Sequence, residues 1–253
     1  MIKGLYSAFN GMEAAWKYQD VLANNISNAN TAGYKRETAS QTAFADVLLS
    51  QQAAVPAPIA ARIQGVVGQI GTGTFIADFT TDYSQGMLQN TGNELDVATQ
   101  AGFFQVQSPD GTNFYTRDGR FGRDANGDLV TSQGYYVLNS SGSHINLPPD
   151  RVTIDTAGAI SRDGNVIDQI NVVDFTPAQL TRAGESFFTS TDAGTPVQGG
   201  IRQGFLEGSN TNLTEELTTL LAVQRTYQAN QAVLARLDGT LDQAAGQLGT
   251  FGA

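Results

Sequence analysis

The first 27 residues place large apolar side chains on a seven-residue repeat. Over residues 3–27, Leu5, Phe9, Met12, Trp16, Ala23 and Ile26 are spaced 4, 3, 4, 7 and 3 apart, with Gln19 as the one polar break. That spacing puts them along one seam of a helix. The last forty residues repeat the pattern. Leu213, Leu220, Tyr227, Leu234, Leu241 and Leu248 recur every seven residues, and Leu217, Val223, Leu237 and Ala244 widen the stripe. Asn212 is placed to cap this helix and Glu215 completes a box-like start. Gly239 and Gly246 weaken its far end by roughly 1 kcal/mol each. A helix of about 35 residues is some 50 Å long. Repeats this long favour helix-on-helix packing, with the two termini as the natural pair.

Between the termini the period changes from seven to two. FFQVQ (103–107), FYTR (114–117), DLVT (128–131), YYVL (135–138), VTID (152–155), INVVDF (170–175) and SFFTST (186–191) read as strands. Asp110-Gly111, Asp118-Gly119, Asn126-Gly127 and Asp163-Gly164 are turn signals among them. Short, closely spaced strands predict a compact antiparallel β domain. Upstream, residues 42–52 read as a helix, and residues 53–73, with two Pro and no firm period, as an extended linker. The fold class is therefore α+β: long N- and C-terminal helices packed as a coiled-coil-like layer, with a central antiparallel β domain. Its divisions are 1–36 (helix and Asn-rich turn), 37–75 (linker), 76–208 (β domain) and 209–253 (C-terminal helix).

Composition narrows the function. The 253-residue chain has only 15% charged residues, 28 Gly and no Cys. Disulfide frameworks, zinc–thiolate sites and Cys nucleophiles are excluded. The net charge of −10 offers no basic footprint for nucleic acid, and Lys3, Lys17 and Lys35 all lie at the N-terminal end. No segment is apolar for the ~20 residues a membrane span needs. Glu13, Lys17 and Asp20 break what would be the apolar core of a secretory signal, so cytosolic residence or export without a cleaved signal is expected.

Catalytic and metal motifs are weak. Residues 124–128, Asp-Ala-Asn-Gly-Asp, begin like a calcium loop, but Leu129 and Tyr135 stand where Gly and Glu are needed. His144 is the one histidine and no G-x-S-x-G marks a nucleophile. Glu94/Asp96 and Glu215/Glu216 are carboxylate pairs by adjacency alone; the latter reads as first-turn acids facing a helix dipole. No enzyme, cofactor or metal is expected.

The stretch LANNISNANTAGYKR (22–36) asks why a good helix should end in four Asn within seven residues. It resembles the N-terminal signature of the flagellar basal-body rod and hook family. SQGMLQNTGNELDVATQAGFFQV (84–106), YTRDGRFGRDANGDLVTSQGYYVL (115–138) and GFLEGSNTNLTEELTTLLAVQRTYQANQAVL (204–234) resemble further blocks of that family, in the right order. Length and a single β region look more like a rod protein than the larger hook protein. The resemblance implies a non-enzymatic structural subunit, assembled through its terminal helices into a helical tube that transmits torque. It implies export unfolded through the flagellar apparatus, location in the basal body, and partners that are copies of itself and other rod and hook proteins. A hook-type or other axial subunit, or a secreted β-rich binding module on a helical stalk, are the alternatives. Interface residues expected on this reading are Leu5, Phe9, Met12, Trp16, Ile26, Leu213, Leu217, Leu220, Tyr227, Leu234 and Leu241. Asn24, Asn25, Asn28, Asn30, Gly33 and Tyr34 form the turn, with Gly33 supplying a conformation other residues avoid.

Overall fold

The structure, a computed structural model, describes residues 2–44, 47–50, 66–71 and 73–250, with side chains over 4–44, 71 and 73–244. The chain divides into two compact units, one drawn from Met1–Asn24, Glu37–Thr80 and Thr214–Ala253, the other from Asn25–Arg36 and Thr81–Leu213.

The first unit holds most of two long helices, α1 (Ile2–Ser27) and α2 (Leu213–Thr250). Both are rich in Ala, Leu, Gln and other good helix formers. Gly4 and Gly11 are costly inside α1, and packing bears on Gly11, since a Cβ at Gly4 would make an ordinary contact. A Cβ at Gly4 would lie 3.5 Å from Leu237 Cδ1, and one at Gly11 2.9 Å from the Asn230 amide nitrogen. Gly4 and Gly11 thus face the Leu237 and Asn230 side chains of α2.

The buried face of α1 is accordingly Ala8, Ala14, Ala15, Val21 and Leu22. It is not the seam of large residues read from the sequence: Phe9 and Trp16 are 49% and 54% exposed. Both stripes have near-heptad spacing, and counting large side chains selects the wrong one for packing within the chain. On α2, Leu220, Val223, Tyr227, Leu234, Leu237, Leu241 and Ala244 are half-buried, while Leu213, Leu217, Leu221 and Val233 are exposed.

Of residues 42–52, expected to be helical, 45–46 and 51–52 lie outside the described residues and the rest are not helical. Ala43 ends the strand Glu37–Ala43, which pairs with Thr74–Thr81, and Val47–Ser50 is a strand paired antiparallel with Val66–Ile70. The run suits helix and strand alike, and pairing with a partner strand decides for the ladder. Of the expected linker, residues 53–65 and 72 lie outside the described residues.

The second unit is antiparallel β structure. Among the described residues its main sheet runs in the order Thr181–Arg182, Phe187–Thr189, Asn113–Thr116, Phe103–Gln107, Tyr136–Val137, Leu129–Thr131 and Phe121–Arg123. Val172–Asp174 also pairs with Phe103–Gln107 and carries Thr195–Pro196 on its other side. A three-stranded sheet (Thr153–Ile154, Ala159–Arg162, Asn165–Gln169) and two ribbons, Ile201–Gln203 with Val97–Thr99 and Phe205–Glu207 with Leu88–Asn90, complete it.

Neighbouring residues on a strand point to opposite faces. Phe103 and Phe104 are both buried, so this strand has a core on each side. Phe104 joins Val106, Phe121, Leu129 and Ile145, whereas Phe103 joins Tyr115, Val173, Phe175 and Phe188. Six of the seven predicted strands contain an observed one, and the seventh, 114–117, overlaps Asn113–Thr116. Asp118-Gly119, expected as a turn, is instead a point of close backbone approach. A Cβ at Gly119 would fall 1.6 Å from the Val97 carbonyl oxygen.

Candidate functional site

Among the described residues two features stand out: a buried polar clamp around the Asn-rich turn, and exposed apolar side chains on the helices.

The turn begins inside the last turn of α1. Asn25 is wholly buried, and its Oδ1 accepts a hydrogen bond from Tyr34 Oη at 3.0 Å. Asn28 is buried too; its side-chain oxygen accepts from Thr31 Oγ1 at 3.0 Å and its carbonyl from Thr31 N at 3.1 Å. Short Asx-type bonds of this kind compete with the helix ladder and end it. Gly33 then adopts φ +68° and donates its N–H to the Glu207 carbonyl at 2.8 Å. Asn24 and Asn30 are exposed. Of the four Asn expected in the turn, Asn25 and Asn28 are the buried ones.

Behind the turn lies a charge cluster almost without solvent contact. Lys35 Nζ donates to Glu207 Oε1 and to the Ser84 carbonyl, both at 2.6 Å. Arg117 Nη1 reaches Glu207 Oε2 at 3.1 Å, and Gly86 N donates to Oε1 at 2.9 Å. The Lys35 and Glu207 side chains are 1% and 0% exposed, that of Arg117 7%. Burial pushes the Lys35 ammonium below its usual value, against the opposing pull of Glu207.

Two further groups hold the turn. The Arg182 guanidinium lies 4.6 Å from the Tyr34 ring centroid and donates to the Lys35 carbonyl at 2.9 Å. Asn210 accepts from Arg36 N at 2.7 Å and donates to the Asp82 carbonyl at 2.8 Å.

Asp82 gives an acid-side prediction. Its carboxylate accepts from Ser84 N at 2.9 Å, and this backbone bond is the main cause of a pKa held below the ordinary 3.8. The unfolded chain therefore binds the proton more readily. The stabilisation is complete above 3.8 and is lost as pH falls through the lower folded value. Asp82→Asn is expected to flatten the dependence of the urea midpoint on pH below about 4. An unchanged acid limb would show that the Ser84 bond carries no such weight.

Of the residues expected at an interface, Phe9, Trp16, Leu213 and Leu217 are exposed, and Leu5, Met12, Ile26, Leu220, Tyr227, Leu234 and Leu241 are half-buried. Lys35, Arg117, Glu207, Ser84, Arg182 and Asn210 escaped the sequence reading. The one local clue was Glu207, a lone charge between Leu206 and Gly208 on an otherwise apolar strand.

The motifs weighed for chemistry have structural work. Asp124 Oδ1 accepts from Asn126 N and Asp128 N, both at 2.8 Å, which makes a tight turn. His144 stacks on Tyr136 at 4.2 Å and its Nε2 lies 3.0 Å from Gln107 Oε1. Glu94 faces Arg151, while Asp96 accepts from Asn93. Among the described residues no group of three or more His, Cys, Asp or Glu could hold a metal ion. None of the described helices is long and apolar enough to cross a membrane.

With its helix closed by a buried Asn turn, its antiparallel β body and its long C-terminal helix, the chain belongs to the flagellar basal-body rod and hook family, as its likeness to known members shows. Residues 5–35 match the family described as flagella basal body rod protein, residues 99–167 the flagellar hook protein FlgE/F/G D1 domain, and residues 202–247 the flagellar basal body rod FlgEFG protein C-terminal region. The chain is 36% identical to the flagellar basal-body rod protein FlgG of Agrobacterium fabrum, over 94% of this chain and 96% of that protein. FlgG of Bacillus subtilis is 35% identical over 96% and 98% of the two chains. The basal-body rod protein FlgF of Mesorhizobium japonicum is 30% identical over 99% of each.

Proposed function

We propose that this chain is a structural subunit of the bacterial flagellar basal-body rod, working without catalysis or cofactor. Its terminal helices pack side by side with those of other copies, in a coiled-coil-like layer. The layer forms a helical tube that transmits torque, and the subunit's neighbours are other rod and hook proteins. It reaches the basal body through the flagellar export apparatus without a cleaved signal, and the absence of Cys leaves no cross-link to block a threaded chain. Neither nucleic acid nor membrane insertion has a part in this.

The observation that carries the reading is the apolar surface left on the helices: Tyr6, Phe9 and Trp16 on α1, and Leu213, Leu217 and Leu221 on α2, each more than 40% exposed. Scattered apolar residues are ordinary on a surface; rows of them along 26- and 38-residue helices mark an interaction face.

The test is polymerisation of purified chain with Phe9 and Trp16 both replaced by Ser. Burying the exposed halves of two such side chains contributes about 2–3 kcal/mol. The critical concentration should rise on the order of 30-fold or more. The circular dichroism melt should stay cooperative and fall only by the share of the halves already covered in the free chain, since Phe9 and Trp16 are 49% and 54% exposed. Filaments forming at an unaltered concentration, or a closed oligomer of fixed size from the unmodified chain, would sink the reading.

A further inference from the structure

We propose that Asn126 is a site of spontaneous deamidation, with the Gly127 backbone nitrogen as nucleophile and water as the co-reactant. The nitrogen gives its proton to solvent and attacks Asn126 Cγ. A bond forms from that nitrogen to Cγ, the Cγ–Nδ2 bond breaks, and Nδ2 takes up a proton and leaves as ammonia. Water then opens the succinimide ring at either carbonyl. One opening leaves Asp at position 126. The other leaves isoaspartate, with the main chain routed through Cβ and Cγ. Only Asn and Asp reach the next nitrogen in a five-membered ring, and an ionised carboxylate resists attack. Glycine as that next residue has no side chain to obstruct the approach.

Five loops of the second unit share one geometry. They start at Ser108, Asp124, Thr131, Asn139 and Asp155. In each, the first residue donates its N–H to the carbonyl of the fifth. The fourth, a glycine with positive φ, donates its N–H back to the carbonyl of the first. The third position holds Asp110, Asn126, Gln133, Ser141 and Ala157 in turn. Asn126 is thus the one amide in this set that closes a five-membered ring onto a glycine. Its glycine is also the least firmly held: Gly127 N lies 3.2 Å from the Asp124 carbonyl oxygen, against 2.9–3.1 Å in the other four loops. Asn126 itself is exposed.

The chain has a second Asn-Gly pair, Asn10-Gly11, which lies inside α1. There the glycine nitrogen belongs to the ladder of bonds from each N–H to the carbonyl four residues before it, and helix continues on both sides. Freeing it means opening neighbouring turns together, because helix formation is cooperative. Gly127 N is held by a single long bond near the tip of a loop. The same dipeptide is therefore reactive in one place and protected in the other.

Either product puts a third carboxylate among residues 124–128, beside Asp124 and Asp128, in a chain of net charge −10. Isoaspartate also lengthens a loop tied at several points. Asp124 N donates to the Asp128 carbonyl at 3.0 Å, and Leu147 N to the Gly127 carbonyl at 2.8 Å. Asn146 Nδ2 donates to the Asn126 carbonyl at 3.0 Å and to Asp128 Oδ1 at 2.9 Å. An extra main-chain atom between residues 126 and 127 shifts both carbonyls against residues 146–147 and loosens this tie.

The test keeps the unmodified full chain in mildly alkaline buffer, one sample folded and one in urea, before digestion with trypsin. Residues 124–151 and 4–17 are the tryptic peptides that hold the two pairs. In the folded sample the 124–151 peptide should gain the mass of –OH in place of –NH2, assigned to Asn126 by fragmentation. The 4–17 peptide should convert at least about tenfold more slowly, since Asn10 reacts only from an opened helix. In urea the two should convert at similar rates, and Asn126→Gln should abolish the gain at position 126 in both samples. The Leu147 amide should exchange at least about tenfold faster in the isoaspartate fraction than in fresh chain. Asn126 left intact in the folded sample while urea converts it, or conversion at Asn139 or Asn146 in its place, overturns the site. Equal conversion of Asn10 and Asn126 in the folded sample overturns the protection by α1. Unchanged exchange at Leu147 overturns the loosened tie.

Discussion

Replacing Glu207 with Gln is expected to cost about 3–5 kcal/mol of unfolding free energy, the range for breaking a buried ion pair by removing one partner. The cluster holds two cations and one anion. Glu207 accepts from Lys35 at 2.6 Å and Arg117 at 3.1 Å, with almost no solvent nearby. Gln leaves both cations buried without a counter-charge. Lys35→Met is the informative comparison, because it leaves Glu207 neutralised by Arg117 and still bonded to Gly86 N. It should cost less than Glu207→Gln by at least about 1 kcal/mol. Equilibrium urea unfolding of the two variants checks the order. The reverse order, or equal losses, would mean that Arg117 is not the second partner.

Lys35 adds a pH signature. Its folded pKa is lowered, chiefly by burial, below the ordinary 10.5. Between the folded value and 10.5 the unfolded chain holds the proton that the folded chain has released. Stability contributed by this group therefore rises with pH across that window, and Lys35→Met removes the rise.

Gly33→Ala should destabilise the second unit by about 2–5 kcal/mol, from two separable causes. The residue sits at φ +68°, where a side chain costs about 1–2 kcal/mol. The added Cβ would also fall 2.3 Å from Asp118 N and 2.4 Å from the Arg117 carbonyl carbon. Both are backbone atoms that cannot step aside, and overpacking of that kind costs about 1–3 kcal/mol more. Gly92→Ala separates the causes, since Gly92 has φ +70° and nothing within 4 Å of a built Cβ. Thermal or urea unfolding should show Gly92→Ala losing only the first share. Equal losses would mean that the turn does not press against residues 117–118.

The elements legible in the sequence were those with a local cause. Heptad spacing marked both helices because helical period is a property of neighbouring residues. Alternation marked seven strands for the same reason, and the Asn run before Gly33 marked the end of α1. Residues 42–52 misled because a short apolar run suits helix and strand alike, and only pairing of Val47–Ser50 with Val66–Ile70 settles it. The large seam of α1 was real as a pattern, yet facing α2 required the small one, and no count within a single helix can know the width of its partner.

The sequence by itself therefore determined that this chain carries two long amphipathic helices, a β body of antiparallel strands, a break after Ser27 and no cysteine or motif for chemistry. Local periodicity and residue type suffice for each. Tertiary structure alone decided that Lys35 meets Glu207, 172 residues away, and that α1 turns its alanines inward while Phe9 and Trp16 stay in water. Contacts between distant segments depend on which surfaces fit and which charges can be left dry, and those quantities do not exist until the chain has folded.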